Sequence, residues 1–268
     1  MKRIITLVGL LILLVPRSSQ GLFHLSVIDE VMTSYDNDPS VQLVEIRMLF
    51  SFQTFVRNSV LGAFDTQGNY LGDVLIIPAD LSRGGTDVPW LMGTSQFEVV
   101  SGITPDFIMS AGLPVDGGMV CWGAPGSSVP SPESWDHSKA DNYVDCLAYG
   151  NYSGPSNRHI GTPSPLVPVG HSLVRVTETE DNAADFVCGD PATPTNNAGM
   201  TVMLAATVSC NPEGDVNGDG LVDGEDIPAL VAAIYSAPQP DAANLNGDDS
   251  VTAADLPALV QAIAASAS

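Results

Sequence analysis

The pattern of apolar and polar residues divides the chain into two unlike parts. From residue 23 to about residue 208, short apolar runs are interrupted every 8 to 15 residues by Gly, Pro, Asn, Asp or Ser, without a sustained helical period. Short runs separated by turn residues are typical of antiparallel sheets. We therefore predict a mainly β domain, a sandwich or a barrel, over residues 22–210.

Two segments show the strand pattern most clearly. In VQLVEIRM the apolar residues Val44, Ile46 and Met48 share one face, as in a half-buried strand. The segment VLGAFDTQGNYLGDVLIIP predicts a hairpin with a tight turn at residues 67–69, where Gly68 can take a positive φ. Further strands are predicted at residues 107–110, 119–122, 143–149, 171–176, 184–188 and 200–208.

Residues 211–268 have a helical period instead. Apolar residues recur there at i, i+3, i+4 and i+7 in two segments, a spacing that places them on one face of a helix. Neither helix can bury such a stripe alone, so we expect the two helices to pack against each other. The stripes are Ile227, Leu230, Val231 and Ile234, then Leu256, Leu259, Val260 and Ile263.

The N-terminal segment is of a third kind. Two basic residues precede an apolar run at residues 4–15, which is too short to span a bilayer but suits the core of a secretory signal peptide. Ser19 and Gly21 supply small residues for a cut before Leu22. We predict a signal peptide at residues 1–21 and a secreted product. A buried N-terminal helix or an uncleaved anchor is the alternative.

Charge narrows the possible partners. Without the N-terminal segment, 31 acidic residues face 6 basic ones, a net charge of −25. A polyanion gains neither counterion release from nucleic acid nor attraction from an anionic membrane. We therefore expect neither as a partner, and we expect cations such as calcium to bind.

Four cysteines lie in the exported part, where an oxidising compartment makes disulfides the default. Three pairings are possible. We favour Cys121 with Cys146 and Cys188 with Cys210, because sequence neighbours close short loops, each stabilising by about 3 kcal/mol. The first would clip the base of the Pro- and Ser-rich connection at residues 123–142. A zinc site is the alternative, but the sequence has no Cys-x-x-Cys pair.

An acidic segment in the tail, DVNGDGLVDGED at residues 215–226, recurs in altered form. NLNGDDSVTAAD at residues 244–255 aligns with it at an offset of 29 residues, and each copy precedes one apolar stripe. A flexible acidic linker would explain the composition but not a repeat in register with helical stripes. The aligned pairs are Asn217 with Asn246, Asp219 with Asp248, Val222 with Val251 and Asp226 with Asp255.

The first copy has the spacing of a calcium loop of the EF-hand kind. Such a loop has oxygen donors at positions 1, 3, 5, 7, 9 and 12, with position 7 acting through its backbone carbonyl, and a residue that tolerates positive φ at position 6. Gly220 fills position 6. The predicted ligands are Asp215, Asn217, Asp219, the Leu221 carbonyl, Asp223 and Asp226.

The second copy supplies fewer carboxylates. Asp249 stands where Gly is preferred, although Asp enters the left-handed region more readily than most residues. We expect a second calcium site that binds more weakly or is largely structural. Its predicted ligands are Asn244, Asn246, Asp248, the Ser250 carbonyl, Thr252 and Asp255.

Two such repeats without an incoming helix, over residues 214–265, resemble a type I dockerin. The resemblance implies a bacterial source, calcium-dependent folding and docking to a cohesin module. In dockerins loop positions 10 and 11 commonly carry a Ser-Thr pair that helps to recognise cohesin. Here these positions are Gly224-Glu225 and Ala253-Ala254, and residues 211–268 contain no Lys or Arg. The calcium-binding fold is therefore a safer expectation than the docking partner.

The larger domain resembles the lamin-tail family, an immunoglobulin-like β-sandwich of secreted bacterial proteins. The resembling pieces are VIDEV, VQLVEI, DCLAYG, GHSLVRV and DFVCGDPATPTNNAG. The last is similar to the family's closing Trp-x-x-x-x-Pro-Thr-Pro-Gly-x-x-Asn pattern, with Phe186 in place of Trp and Thr195 in place of Gly. The resemblance implies a binding or structural module more than a catalyst.

Catalytic motifs are weak. The sequence has no Gly-x-Ser-x-Gly elbow, His-Glu-x-x-His helix or phosphate-binding loop. Glu30 and Glu45 are the nearest carboxylate pair for glycoside hydrolysis, although we favour the interpretation that they are outward-facing strand residues. The other candidates are His24, His137, His159 and His171, and a sugar-stacking platform of Trp90, Trp122 and Trp135, the first two of which also suit a core.

We therefore expect a secreted modular protein without catalytic activity, with calcium-binding repeats for docking or attachment. The alternative is an extracellular polysaccharide hydrolase, or a component of such a system, because dockerins are commonly appended to such enzymes.

Overall fold

A computed structural model describes residues 25–124, 136–205, 210, 212–236, 243–248 and 250–266. The signal-peptide prediction at residues 1–21 lies outside the described residues, as do His24, Trp135 and Asp249. The strands within the described residues are β1 (Ser26–Met32), β2 (Leu43–Met48), β3 (Val60–Phe64), β4 (Tyr70–Ile76), β5 (Val88–Gly93), β6 (Phe107–Ile108), β7 (Gly117–Ala124), β8 (Asp145–Gly150), β9 (Ser172–Arg175) and β10 (Phe186–Gly189). The helices are α1 (Ser95–Ser101), α2 (Asn182–Asp185), α3 (Asp226–Ile234) and α4 (Leu256–Ser266).

The strands form two sheets, which confirms the prediction of a mainly β fold. One sheet has the order β10-β9-β1-β2-β5-β6, and the other has the order β4-β3-β7-β8. Neighbouring strands are antiparallel except β5 and β6. The inner faces of both sheets contribute to one core, in which Trp90 of β5 meets Trp122 of β7 edge to face at 5.5 Å between ring centroids. The arrangement is consistent with a β-sandwich.

Sequence patterns locate most of these strands. The hairpin of β3 and β4 is confirmed, with Gly68 at φ 80° in its turn. The prediction at residues 184–188 is partly wrong, because residues 182–185 form the helical turn α2 and the strand begins at Phe186. The Asp185 carboxylate accepts the N–H of Thr179 at 2.8 Å and that of Asp181 at 3.3 Å, which holds this turn closed.

The end of the β domain differs from the prediction at residues 200–208. Of these residues, Thr201 and Leu204 form isolated bridges to Thr195 and Ala192, and residues 206–209 lie outside the described part. Strand β5 and helix α1 are absent from the predicted elements.

Both predicted disulfides are confirmed. Cys121 and Cys146 face each other on β7 and β8, and their bond closes the base of the connection between these strands. Cys188 of β10 is bonded to Cys210, which fixes the start of the tail to the six-stranded sheet. Two disulfides indicate a protein that folds in an oxidising compartment.

Glu30 and Glu45 are not exposed on the sheet surface. They lie opposite each other on β1 and β2, with exposed fractions of 3% and 6%. Glu30 accepts the N–H of Thr193 at 3.1 Å and the hydroxyl of Ser172 at 2.6 Å, and Glu45 accepts the N–H of Thr195. The prediction that these carboxylates face solvent is therefore wrong, because residues 193–195 cover that face of the sheet. The pair therefore anchors the backbone of Thr193 and Thr195.

A buried ion network joins the two sheets. The Arg175 guanidinium of β9 is 1% exposed and contacts Asp145 of β8 at 2.7 Å and Asp185 at 3.3 Å. Its Nε donates to the carbonyl of Ile28 at 2.7 Å, while Asp145 also accepts the N–H of Ile28 at 2.7 Å. Since the network draws β1, β8 and β9 together, it contributes to how the sheets are aligned.

The tail helices α3 and α4 pack against each other as predicted, but the stripes are only half buried. Leu230 and Leu259 are fully buried at the centre of the contact. Val231 and Val260, at equivalent positions of the repeat, are 49% and 50% exposed. Two short helices touch along a narrow line, so the residue after each central Leu falls outside it. Among the described residues, no helix is long and apolar enough to cross a bilayer.

We predict that Arg175→Met lowers the free energy of unfolding by about 3–5 kcal/mol, because it leaves the buried carboxylates of Asp145 and Asp185 without a counter-charge. Urea unfolding of residues 22–268 at pH 7 measures it. Arg47→Met is the matched control, since Arg47 pairs with Asp29 near the surface, and should cost less than about 1 kcal/mol. Equal losses in the two variants would contradict the role of the network.

We also predict that Glu45 makes stability depend on pH. Burial raises the pKa of Glu45 to about 9, against the N–H of Thr195, which lowers it. The folded protein then holds this proton more tightly than the unfolded chain, so stability present below about pH 4.5 is lost as pH rises towards 9.

Glu45→Gln keeps an oxygen acceptor for Thr195 but stays neutral. We expect the free energy of unfolding of this variant to fall less between pH 5 and pH 8.5 than that of the unaltered chain, as measured by urea titration. Glu98→Gln on α1, where the side chain is only half-buried, should keep the unaltered slope. If Glu45→Gln keeps that slope too, the carboxyl is not the source of the pH dependence.

Candidate functional site

The two acidic loops of the tail share one hydrogen-bond scaffold. The Asp226 carboxylate, fully buried, accepts the N–H groups of Val216 at 2.7 Å, Asn217 at 3.1 Å and Asp223 at 2.8 Å. Asp255, also fully buried, accepts the aligned N–H groups of Leu245 at 2.8 Å, Asn246 at 3.0 Å and Thr252 at 2.8 Å. Each loop is thus folded back onto the carboxylate at the start of its exit helix. The repeat predicted from the sequence is a repeat of structure.

A second pair of matching contacts lies on the outer part of each loop. The Asn217 amide donates to the Asp219 carboxylate at 3.0 Å, and the Asn246 amide donates to Asp248 at 3.0 Å. Gly218 and Gly247, between these pairs, have φ values of 79° and 71°. A left-handed residue at this position turns the chain so that positions 3 and 5 lie on the same side.

The loops differ at position 1. Asp215 is 3% exposed and accepts three N–H groups, from Gly218 at 2.7 Å, Asp219 at 3.1 Å and Gly220 at 2.8 Å. The aligned Asn244 accepts one described N–H, that of Gly247 at 3.1 Å. Gly220 takes the positive φ expected at position 6, at 84°. At position 1 the first loop therefore has a buried carboxylate, where the second has a half-buried amide.

Positions 7 and 9 complete each set. The Leu221 N–H donates to Asp219 at 2.9 Å, and the Ser250 N–H donates to Asp248 at 3.1 Å. At position 9 the Asp223 carboxylate accepts the N–H of Glu225 at 2.8 Å, and the Thr252 hydroxyl accepts that of Ala254 at 3.1 Å. Positions 7 and 9 are thus tied into hydrogen bonds within their own loops.

The carboxylates of the first loop are close enough to repel one another. Burial raises the pKa of Asp215, and the charges of Asp219 and Asp226 add to this effect against the N–H bonds that lower it. Burial also raises the pKa of Asp219, with further contributions from Asp223 and Asp226. A cation among these groups would relieve the repulsion.

The donor set is chemically suited to a hard cation, because every side chain in it offers oxygen. Among the described residues, no three Asp, Glu, His or Cys side chains converge closely enough to hold a metal ion as they stand. The carboxylates accept backbone N–H groups instead. A carboxylate has about four acceptor positions, of which Asp215 and Asp226 each use three for N–H groups, so each keeps one for a cation.

The first loop also contacts the β domain. The N–H of Val167 donates to the Asp219 carbonyl at 3.3 Å. His171, 1% exposed, packs against Gly220. A Cβ atom added to this glycine would lie 3.5 Å from the imidazole Cε1. Sequence reasoning does not find this contact, because about 50 residues separate the partners and nothing in the pattern links them.

A cleft of about 300 Å³ opens beside this contact, between the β domain and the first loop. It is lined by Asp116, Gly150, Asn151 and Val167 of the β domain and by Asp219, Leu221, Asp223 and Glu225 of the loop. Three of the loop residues are predicted ligands. The side of the first loop that carries these predicted ligands therefore faces the β domain across the cleft.

The remaining histidine candidates do not converge. The His137 ring contacts Asp73 at 3.0 Å near the surface. His159 accepts a hydrogen bond from Arg158 at 2.9 Å, and burial together with the Arg158 charge lowers its pKa to about 4. Burial lowers the pKa of His171 as well. All three lie in separate parts of the described chain.

The tryptophan candidates lie in the core where they are described. Trp90 and Trp122 are fully buried, so neither is part of a sugar-stacking platform. Trp135 lies outside the described residues, and its role stays a prediction.

Comparisons with known protein families, with curated proteins and with solved structures found no match to this chain. The function is therefore argued from the geometry of the loops and of the β domain.

Proposed function

We propose that the protein is a secreted, non-catalytic modular protein whose tail binds calcium through two EF-hand-like loops and mediates docking or extracellular attachment. The observation that carries this proposal is the matched scaffold around Asp226 and Asp255, which orders two sets of oxygen donors at EF-hand spacing. A flexible acidic linker would have no reason to form the same bonds twice.

Calcium suits these loops better than a transition metal. Their donors are carboxylates, amides, a hydroxyl and backbone carbonyls, without His or Cys, and hard oxygen ligands favour calcium. Residues 211–268 also contain no Lys, Arg or His that could neutralise the buried carboxylates. We propose that calcium does so, with Asp215, Asn217, Asp219, Asp223 and Asp226 as side-chain ligands.

The first site is proposed to be the tighter one. Four ligand carboxylates in the first loop are replaced by two in the second, and charge count is one of the main determinants of calcium affinity in such loops.

The β domain supports a structural or binding role, as an immunoglobulin-like sandwich of the lamin-tail kind. Its nearest carboxylate pair, Glu30 and Glu45, is buried and holds backbone N–H groups. We propose that residues 1–21 direct export, in keeping with the two disulfides.

The proposed docking surface is on the tail helices. Val231 and Val260 expose half of their side-chain surface, and Tyr235 is 85% exposed. Apolar groups repeated on both helices suit a protein partner, and the resemblance to dockerins makes a cohesin-like module the partner that we propose. The departures at residues 224–225 and 253–254 make its recognition different from that of the usual Ser-Thr pair.

Calcium calorimetry on residues 22–268 tests the central part. We expect two sites of different affinity. Asp219→Asn should weaken the tighter site by at least about tenfold, since it removes one of four ligand charges, and Asp248→Asn should weaken only the other. Magnesium at equal concentration should bind more weakly, because it demands a smaller octahedral cage. The absence of calcium uptake at millimolar concentration would contradict the proposal.

The docking part has its own test. We expect a panel of type I cohesin modules to include one that binds the calcium-loaded chain and releases it when calcium is chelated. Val231→Asp combined with Val260→Asp should abolish binding, because it places charge in the apolar surface, whereas the exposed control Ala264→Asp should not. Calcium uptake without binding to any cohesin would overturn the docking proposal and leave the calcium sites standing.

A further inference from the structure

The first loop meets the β domain through its backbone, which leaves its ligand side chains available. The bond from Val167 uses the Asp219 carbonyl, whereas the predicted ligand at that position is the Asp219 carboxylate. The His171 ring packs on the backbone of Gly220, a residue that supplies no ligand. Contact with the β domain and binding of a cation are therefore compatible in the same loop.

The part of the β domain that contacts the loop is hydrogen-bonded to neighbouring segments of that domain. The N–H of Gly150 donates to the Leu166 carbonyl at 3.2 Å, the N–H of Thr33 donates to Pro168 at 3.3 Å, and the N–H of Gly170 donates to Ser34 at 3.2 Å. These bonds connect residues 166–170 to β8 and to the end of β1. The disulfide between Cys188 and Cys210 fixes the chain five residues before the loop begins. The loop therefore contacts residues 166–171, which we call the seat and which are themselves hydrogen-bonded to the β domain. The disulfide holds the start of the tail close to this contact.

The cleft beside this seat concentrates negative charge. Asp116 of the β domain faces Asp219, Asp223 and Glu225 of the loop across it, and its lining residues include no Lys, Arg or His. Like charges around a narrow cleft repel, so they oppose this arrangement. A divalent cation at the loop would offset two of the loop's negative charges, which weakens the repulsion and lets the Asp116 carboxylate approach the ion itself.

We propose that calcium in the first loop fastens the tail to the β domain. The first loop is then an interdomain site. The Asp116 carboxylate and the Asn151 amide oxygen, on the β-domain side of the cleft, either ligate the ion or attract it electrostatically. This inference rests on the proposed calcium binding and adds a consequence to it. Calcium should stabilise the seat at residues 166–171 as well as the loop.

Affinity gives the first test, by calorimetry on residues 22–268. Asp116→Asn keeps the shape of the side chain and removes its charge. By linkage, a group that stabilises the bound state must appear in the affinity, and we expect at least about a fivefold weaker first calcium site with an unchanged second site. Asp141→Asn is the matched control, because Asp141 is an exposed acid of the β domain that lines a different cleft. An unchanged first site in Asp116→Asn would overturn the role of Asp116.

Hydrogen exchange gives the second test and separates the fastening from calcium binding itself. At a calcium concentration that fills the first site of the unaltered chain but not the weakened site of Asp219→Asn, we expect slower amide exchange at residues 148–151 and 166–171 in the unaltered chain and in Asp248→Asn, but not in Asp219→Asn. Calcium uptake by calorimetry without slower exchange in these segments would overturn the fastening and leave the calcium sites intact. No calcium uptake at all would overturn the proposed function first, and this inference with it.

Discussion

Each loop of the tail is organised by one buried carboxylate that gathers three backbone N–H groups. Asp226 is the first residue of α3, and Asp255 is the last residue of the 3-10 turn that leads directly into α4, so each side chain fixes its loop at the point where a helix begins. Burying a carboxylate is costly unless it is paired or hydrogen-bonded, and at Asp255 the backbone N–H bonds outweigh burial and hold the pKa of the carboxyl below its ordinary value. Residues 211–268 offer no positive side chain, and in the proposed function a cation relieves the mutual repulsion of the carboxylates in the first loop. The helix packing, the order of the ligands and the contact with the β domain all depend on these loops keeping their shape.

The β domain solves the same problem of buried charge with its own residues. Arg175 compensates Asp145 and Asp185 where the two sheets meet, and it also lies 4.4 Å from the centroid of the Phe186 ring. Glu30 and Glu45 instead accept backbone N–H groups, and burial raises their pKa values to about 7 and about 9. A carboxyl that is protonated near neutral pH anchors a neighbouring segment without needing a cation. The two parts of the chain thus handle buried acids in different ways, and we propose an external ion for the tail alone.

Local patterns predict much of this structure. Alternation locates β2, and the turn at Gly68 locates the hairpin of β3 and β4, because both signals lie within a few residues. Short sequence spacing also suffices for both disulfides. The repeat of the tail is visible because two copies can be compared at a fixed offset, and the scaffold around Asp226 and Asp255 follows that alignment.

The features that the sequence does not reveal depend on distant contacts. Glu45 alternates as a surface residue, and its burial is caused by residues 193–195, about 150 positions away. Val231 belongs to an apolar stripe but lies outside the narrow contact of two short helices. His171 and Asp116 face the first loop only because the fold brings residues 116, 151 and 167 to one end of the domain. No periodicity or motif encodes such a meeting.

The central claim is that residues 215–226 and 244–255 are calcium loops, and a calcium titration of isotope-labelled residues 22–268 followed by backbone amide NMR tests it most directly. The account predicts shifts confined first to residues 215–226 and to the facing segment at 166–171, with residues 244–255 following at higher calcium. Amide signals of both loops that stay unchanged up to millimolar calcium would contradict it.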